Sequence, residues 1–395
     1  MLLWSAQGVS AVGSRVTRTA LPIAAIVVTG AGAIDLGLLT VALTLPGAVL
    51  AWLGGAWVDR HRRKPLLIGA DLVRAAALAT IPLAALAGSL ALHQLYAVAT
   101  IVGVAAVFHG LADHVYITDL VGRRRLLDAN GKREAVDAVA EISGPALGGA
   151  LVGWLGAPVA IAVDAVSFVV SACLVGRIGK RETLAGAASP GSLAEDVRTG
   201  IRVVWRNAPI RSLFIATATF TFFASFMASL YTLYALGDLG LDAPALGITI
   251  GCGGIGGLAG AALAAPAAAR WGARRTLIAA LGVGAAAQVL LPLAPAVPGV
   301  AMGFLVVTQV VGDGALTLYL VNETTLRQRL LPPEALGRAA ATWQVATGLL
   351  TPAGAMFGAA LAERAGMRPA LWMLCVGIAA AAAWLASTLD VADDP

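Results

Sequence analysis

Residues 33–64 read AIDLGLLTVALTLPGAVLAWLGGAWVDRHRRK. Residues 33–58 hold a single charge, Asp35, after which Asp59, Arg60, Arg62, Arg63 and Lys64 arrive together. An apolar run of that length exceeds the roughly 20 residues that a helix needs to cross about 30 Å of hydrocarbon. The basic cluster that closes it marks the side on which the chain leaves the bilayer. The same alternation of apolar block and charged loop runs through all 395 residues, 59% of them hydrophobic and only 12% charged. Mean hydropathy is +0.84, whereas a soluble domain carries about 25% charged residues. That excludes a water-soluble protein. The blocks are rich in Ala, Leu, Gly and Val and show no ten-residue alternation, so the backbone is satisfied in lipid by helices and not by a closed barrel. The fold class is therefore an all-α membrane protein.

Twelve spans are expected, at about 4–28, 33–57, 66–88, 92–119, 135–156, 158–177, 210–236, 244–268, 276–294, 298–321, 337–362 and 369–389. Six precede a polar stretch and six follow it, giving an N-terminal six-helix bundle over 1–178, a linker over 179–209 and a C-terminal six-helix bundle over 210–395. Within the linker, 193–205 is amphipathic, with Arg198, Arg202 and Arg206 recurring every four residues on one face, where they could meet anionic headgroups. Of the 27 Lys and Arg residues, 22 fall in the loops on one side. By the positive-inside rule that side is cytoplasmic, and an even number of spans puts both termini there. The net charge of +5 thus reflects topology, and no nucleic acid is implied. Short matches between the halves, Arg63-Lys64-Pro65-Leu66-Leu67 with Arg274-Arg275-Thr276-Leu277-Ile278, suggest two pseudo-symmetric bundles.

A charge in hydrocarbon costs at least about 2.5 kcal/mol on insertion scales, so polar rows within spans are the informative positions. They gather in spans 1, 4, 7 and 10. Span 1 carries Gln7, Ser10, Ser14 and Arg18 on one face, with Arg15 beside it; span 4 carries His109, Asp113 and Tyr116; span 7 carries Thr217, Thr221, Ser225 and Ser229; span 10 carries Gln309, Asp313 and Thr317. Membrane hydroxyls often bond the preceding turn's carbonyl, so the span 7 row has a structural reading as well as a cavity-lining one. Asp71 and Arg74, at i and i+3, read best as a structural ion pair. Asp113 and Asp313 lie mid-span without a same-helix cation within a turn, the setting of a substrate- or proton-binding carboxylate. Burial and nearby cations such as Arg18 pull a carboxylate's protonation in opposite directions, and a group so balanced can load and release a proton.

His109, Asp113 and His114 admit a metal-binding alternative, but His114 points about 100° from Asp113 and two ligands do not make a site, so no metal is assigned. The cysteines, Cys173, Cys252 and Cys375, sit in separate apolar blocks and imply neither disulfide nor zinc. Gly251-Cys252-Gly253-Gly254-Ile255-Gly256 fits the dinucleotide fingerprint literally but lacks its strand and acidic residue, so close helix packing is the better reading and no cofactor is expected. Without a nucleophile or metal constellation facing water, an intramembrane enzyme is not supported.

Gly55-Ala56-Trp57-Val58-Asp59-Arg60-His61-Arg62-Arg63-Lys64 resembles the G-x-x-x-D-R-x-G-R-K signature of the major facilitator superfamily. Gly144-Pro145-Ala146-Leu147-Gly148-Gly149 is similar to the G-P-x-x-G-G core of antiporters in that superfamily. Ala20-Leu21-Pro22, Asp164-Ala165-Val166-Ser167-Phe168 and Asn322-Glu323-Thr324 resemble the branch of enterobactin and macrolide exporters. The resemblance implies that helices 1, 4, 7 and 10 line a central cavity, and that Gly55, Asp59, Arg60, Arg63 and Lys64 form a cytoplasmic gate. It implies that Gly144, Pro145, Gly148 and Gly149 form a hinge or proton seal. The expectation is a multi-pass transporter of the bacterial inner membrane, sufficient as a monomer. It would export a small organic solute by proton-coupled antiport and alternating access, with Arg18, His109, Asp113, His114, Tyr116, Ser225, Gln309 and Asp313 binding substrate and protons. Uptake, metal-chelate transport through His109, Asp113 and His114, and a non-transporting sensor on the same fold remain as alternatives.

The orientation is testable by fusion. A fluorescent protein at the C-terminus should fluoresce and alkaline phosphatase inserted after Gly366 should be active; the opposite pair of results would reverse the topology.

Overall fold

The computed structural model describes residues 2–59, 61–121, 126–179 and 193–390. Its elements are α1 (Leu2–Thr29), α2 (Ala33–Asp59), α3 (Arg63–Leu86), α4 (Leu92–Val121), α5 (Leu126–Leu155), α6 (Ala157–Gly176), α7 (Leu193–Arg206), α8 (Ala208–Ala224) and α9 (Phe226–Leu233). A π-helical turn, Tyr234–Asp238, follows, then α10 (Ala243–Trp271), α11 (Ala273–Leu293), α12 (Pro298–Leu330), α13 (Pro333–Ala365) and α14 (Met367–Thr388). Twelve segments are long and apolar enough to cross a bilayer, with α8, α9 and the π turn forming one of them. The all-α reading and its twelve spans hold. Two helices run well past the expected limits: α5 starts at Leu126 instead of 135, and α12 continues to Leu330 instead of 321. Both extensions carry charged residues that read as loop but are paired within the bundle, Arg133 with His114 and Glu323 with Arg327.

The chain packs as two compact units: the first holds α1–α6 with Asp242–Gly251, the second α7–α9, the remainder of α10 from Cys252, and α11–α14. In the first, α1 lies against α5 and α6, α3 against α4 and α6, and α2 against α4. In the second, α8 lies against α13 and α14, and α11 against α12 and α14. The neighbour scheme is the same once spans are counted from the start of each unit.

Local chemistry repeats too. The turns α5–α6 and α13–α14 each consist of one glycine, Gly156 at φ 85° and Gly366 at φ 95°, a conformation that L side chains avoid. Lys64, in the first turn of α3, donates to the carbonyls of Gly176 (2.8 Å) and Ile178 (2.7 Å) at the end of α6. Arg274, in the first turn of α11, donates to Leu389 (2.6 Å) and Ala386 (2.7 Å) at the end of α14. Each cation satisfies carbonyls that a helix leaves open at its C-terminus and sits at the negative end of its dipole.

The glycine run in α10 serves packing. A Cβ on Gly256 or Gly260 would collide with the backbone of Val310 or Gly314 in α12, and one on Gly253 with the carboxylate of Asp313. In α13, Gly358 leaves space for the Phe226 ring, which packs 5.9 Å from Phe357 and 5.6 Å from Phe223.

Gly256→Leu should therefore destabilise the protein by about 1–3 kcal/mol through overpacking, seen as a lower thermal midpoint in detergent. Gly282→Ala, whose Cβ would have no neighbour within 4 Å, should not lower the midpoint and should raise it slightly by helix propensity.

Candidate functional site

In the first unit, α1, α4 and α5 bring their polar faces together. Gln7 and Arg18, eleven residues apart, project from nearly the same side of α1, with Arg15 close by. Gln7 Nε2 donates to Asp113 Oδ1 at 2.7 Å, joining α1 to α4. His114, one residue on, turns to α5, where its Nδ1 lies 3.2 Å from Arg133 Nη1. From Arg133, α5 continues the row at four-residue steps with Asp137 and Glu141. Asp137 acts electrostatically on both Arg15 and Asp113. Glu141 takes both arginines of α1: Arg15 Nε is 2.7 Å from Oε2, and Arg18 pairs with Oε1. Asp113 is buried, but the Arg18 and Glu141 side chains are 48% and 35% exposed and His114 is exposed as well, so the row is accessible at both ends.

The glycine-proline segment of α5 shapes that ion pair. A Cβ on Gly144 would overlap the Cβ of Arg15, so the glycine lets the arginine stem cross α5 one turn from Glu141. Gly148 faces Val16, with 3.1 Å from such a Cβ to the Val16 Cα, and Gly149 faces Gly247 in the part of α10 belonging to the same unit. Pro145, between them, is buried inside α5 without ending it.

A second polar layer is largely enclosed, only His109 keeping 19% of its side chain exposed. Asp71 pairs with Arg74, whose guanidinium carbon stands 4.1 Å from the centre of the Phe168 ring. His109 Nε2 lies 3.4 Å from Asp71 Oδ1. Asp164 accepts from Ser167 at 2.9 Å, in space left by Gly13. Asp71 is 0% exposed, and the structural reading of its pair with Arg74 fits that enclosure.

The residues singled out in the sequence thus divide. Arg18, Asp113 and His114 belong to the α1–α4–α5 row, while His109 belongs to the enclosed layer. His109, Asp113 and His114 go to three different partners, in α3, α1 and α5, and no group of three or more metal-ligating side chains is assembled among the described residues. Tyr116 is buried in an apolar cluster with Leu3, Leu67 and Ile117. Ser225, at the break between α8 and α9, bonds the Thr221 carbonyl at 2.5 Å, Ser229 bonds the Ala355 carbonyl at 3.0 Å, and Thr217 bonds Tyr319 at 2.8 Å. Three of the four hydroxyls in the span 7 row, those of Thr217, Ser225 and Ser229, thus make internal hydrogen bonds. Gln309 and Asp313 lie one turn apart beside Gly253 in the second unit. Of the gate residues, Arg63 is buried and Lys64 caps α6, whereas Arg60 and the side-chain surroundings of Gly55 and Asp59 lie outside the described residues. The residue missed by the sequence reading is Glu141. Its signal is the charged row Arg133, Asp137 and Glu141 at four-residue spacing in α5, two members of which fall inside span 5 as read from the sequence.

The sequence pattern of the Major Facilitator Superfamily matches residues 3–322 and 213–395. Macrolide efflux protein A of Streptococcus pyogenes is 27% identical over 222 residues, covering 56% of this chain and 54% of that protein. The multidrug efflux pump Tap of Mycolicibacterium fortuitum is 31% identical over 192 residues, 46% of each. The chain spans about half the length of these curated relatives. Among solved structures, that of the nucleoside transporter NupG superposes with a TM-score of 0.79 at 12% identity, covering 99% of this chain and 98% of that one, a likeness of fold.

Asp71→Asn would leave the Arg74 charge unpaired in a closed interior, and should cost about 3–5 kcal/mol of stability. Replacing the pair together, Asp71→Leu with Arg74→Met, should recover most of it. Equal thermal midpoints for Asp71→Asn and wild type would show the pair to be dispensable.

Proposed function

The chain belongs to the Major Facilitator Superfamily, and from that premise we propose that it is a secondary transporter exporting a small organic solute by proton-coupled antiport and alternating access. The observation that carries this reading is the polar row of α1, α4 and α5. Half-exposed Arg18 and Glu141 sit within spanning segments, where contact with hydrocarbon is costly, so this face is one that water reaches. The row supplies both kinds of group that coupled transport requires. Arg18 and Arg15 are fixed cations able to hold a polar solute, and Asp113 and Glu141 are carboxylates able to take and give a proton. Asp313, beside Gln309 on α12, is the corresponding carboxylate of the second half.

In this mechanism the proton and the solute occupy the row in turn, and alternating exposure to the two sides follows which of them is bound. Gly144 and Gly148 keep α5 close to α1, so that a change in the Arg15–Glu141 pair is passed to the helix backbone. Asp59, Arg60, Arg63 and Lys64 form the cytoplasmic gate, with both termini on that side of a bacterial cytoplasmic membrane. The efflux relatives favour export of a drug-like solute, the sequence resemblance to enterobactin exporters keeps a siderophore-like one beside it, and one chain acts as a monomer.

Proteoliposomes loaded with a pH-sensitive dye test this. Addition of a macrolide, a siderophore or a metal chelate should move protons through the wild-type protein for at least one of the three. Asp113→Asn and Asp313→Asn should each reduce that signal at least tenfold while eluting as folded protein. Coupling retained in both variants would remove these carboxylates from the mechanism, and proton movement with none of the three probes would remove the proposed solute classes.

A further inference from the structure

Helix α7 packs on the second unit with one side, and its other side is exposed among the described residues. Gly200 lies against the Arg338 carbonyl and the Thr342 hydroxyl of α13, and Val204 is buried in the core shared with Ile210, Leu213 and Trp343. Around the remaining arc, at 100° per residue, come Ile201, Trp205, Arg198, Arg202 and Arg206 in that order, all exposed. Ile201 and Trp205 are 43% and 48% exposed, an apolar flank, and the three arginines form the flank beside it.

The fold fixes where this arc lies. Only Asn207 separates α7 from the membrane-spanning α8, so Arg206 stands at the hydrocarbon boundary. The Trp205 ring meets Phe214, in the second turn of α8, edge-on at 6.4 Å, and Arg211 Nη1 holds the Trp205 carbonyl at 2.9 Å. The apolar flank is thereby turned toward the side from which the spanning helix enters the bilayer, and the arginine flank runs along it at headgroup level. The acidic residues of α7, Glu195 and Asp196, are confined to its first turn, farthest from α8. An indole and a branched aliphatic chain beside a row of guanidiniums is the pattern of a helix lying in the membrane interface and selecting anionic lipid.

We infer that the exposed arc of α7 is a docking surface for anionic phospholipid headgroups, with Arg198, Arg202 and Arg206 binding phosphate and Ile201 and Trp205 seated among the upper acyl carbons. Guanidinium matches phosphate through paired hydrogen bonds as well as charge. Each arginine at an anionic surface favours association about fivefold.

Native mass spectrometry of the full chain tests this, with phosphatidylglycerol and phosphatidylcholine of equal chain length as competing probes. The wild type should retain phosphatidylglycerol at least fivefold over phosphatidylcholine. Arg198→Gln with Arg202→Gln and Arg206→Gln should bring the ratio near one, Arg202→Gln alone should lie between, and Arg270→Gln with Arg275→Gln, removing two exposed cations elsewhere, should keep the preference. In nanodiscs, hydrogen exchange across 193–206 should slow when phosphatidylglycerol is added, in the wild type but not in the triple variant. A preference that survives the triple substitution, or that falls equally in the Arg270/Arg275 variant, overturns the inference. So does one abolished by millimolar inorganic phosphate, which would make the ligand a free anion. Should the triple variant fail to fold, the Arg202→Gln protein decides by the same ratio.

Discussion

Hydrocarbon offers no hydrogen-bond partner, and from that constraint the rest of this structure follows. Backbone groups are satisfied along each helix, and where a helix ends, another part of the same unit takes over: Lys64 holds the last carbonyls of α6, and Arg274 those of α14. Side chains obey the same demand. Asp71 has Arg74, Asp164 has Ser167, and Thr217 has Tyr319. Against that background the Arg15–Arg18–Glu141 cluster differs in one respect, since its members are paired yet remain accessible.

The glycines explain how so much polar matter fits between helices. Gly13 makes room for Asp164, Gly144 for the stem of Arg15, and Gly253 for Asp313. In each case the small residue stands on the helix facing the polar one. Close approach and polar burial are therefore two sides of one packing solution, and the motif glycines of α5 take part in it as directly as those of α1 and α10.

Span positions were legible because hydropathy is a one-dimensional property, and the twelve blocks needed only length and apolarity. The helix edges at Leu126 and Leu330 were not, because a charge that will be paired inside a bundle looks in sequence like a charge bound for water. Pairing itself was least legible. Asp71 and Arg74 were readable as a pair because they lie three residues apart on one helix. Gln7 and Asp113 are separated by 106 residues, and Arg18 and Glu141 by 123, so nothing local announces either contact. In the hydroxyl row of span 7, strict spacing marks a shared face, but that Thr217 bonds Tyr319 and Ser229 the Ala355 carbonyl is a use that spacing alone does not distinguish from solvent contact.

The one-residue reversals at Gly156 and Gly366 bear on motion as well as shape. With no slack at either turn, α5 and α6, like α13 and α14, behave as stiff hairpins whose closed ends travel together. Any relative displacement within such a hairpin must be taken up at its open end, on the opposite membrane face.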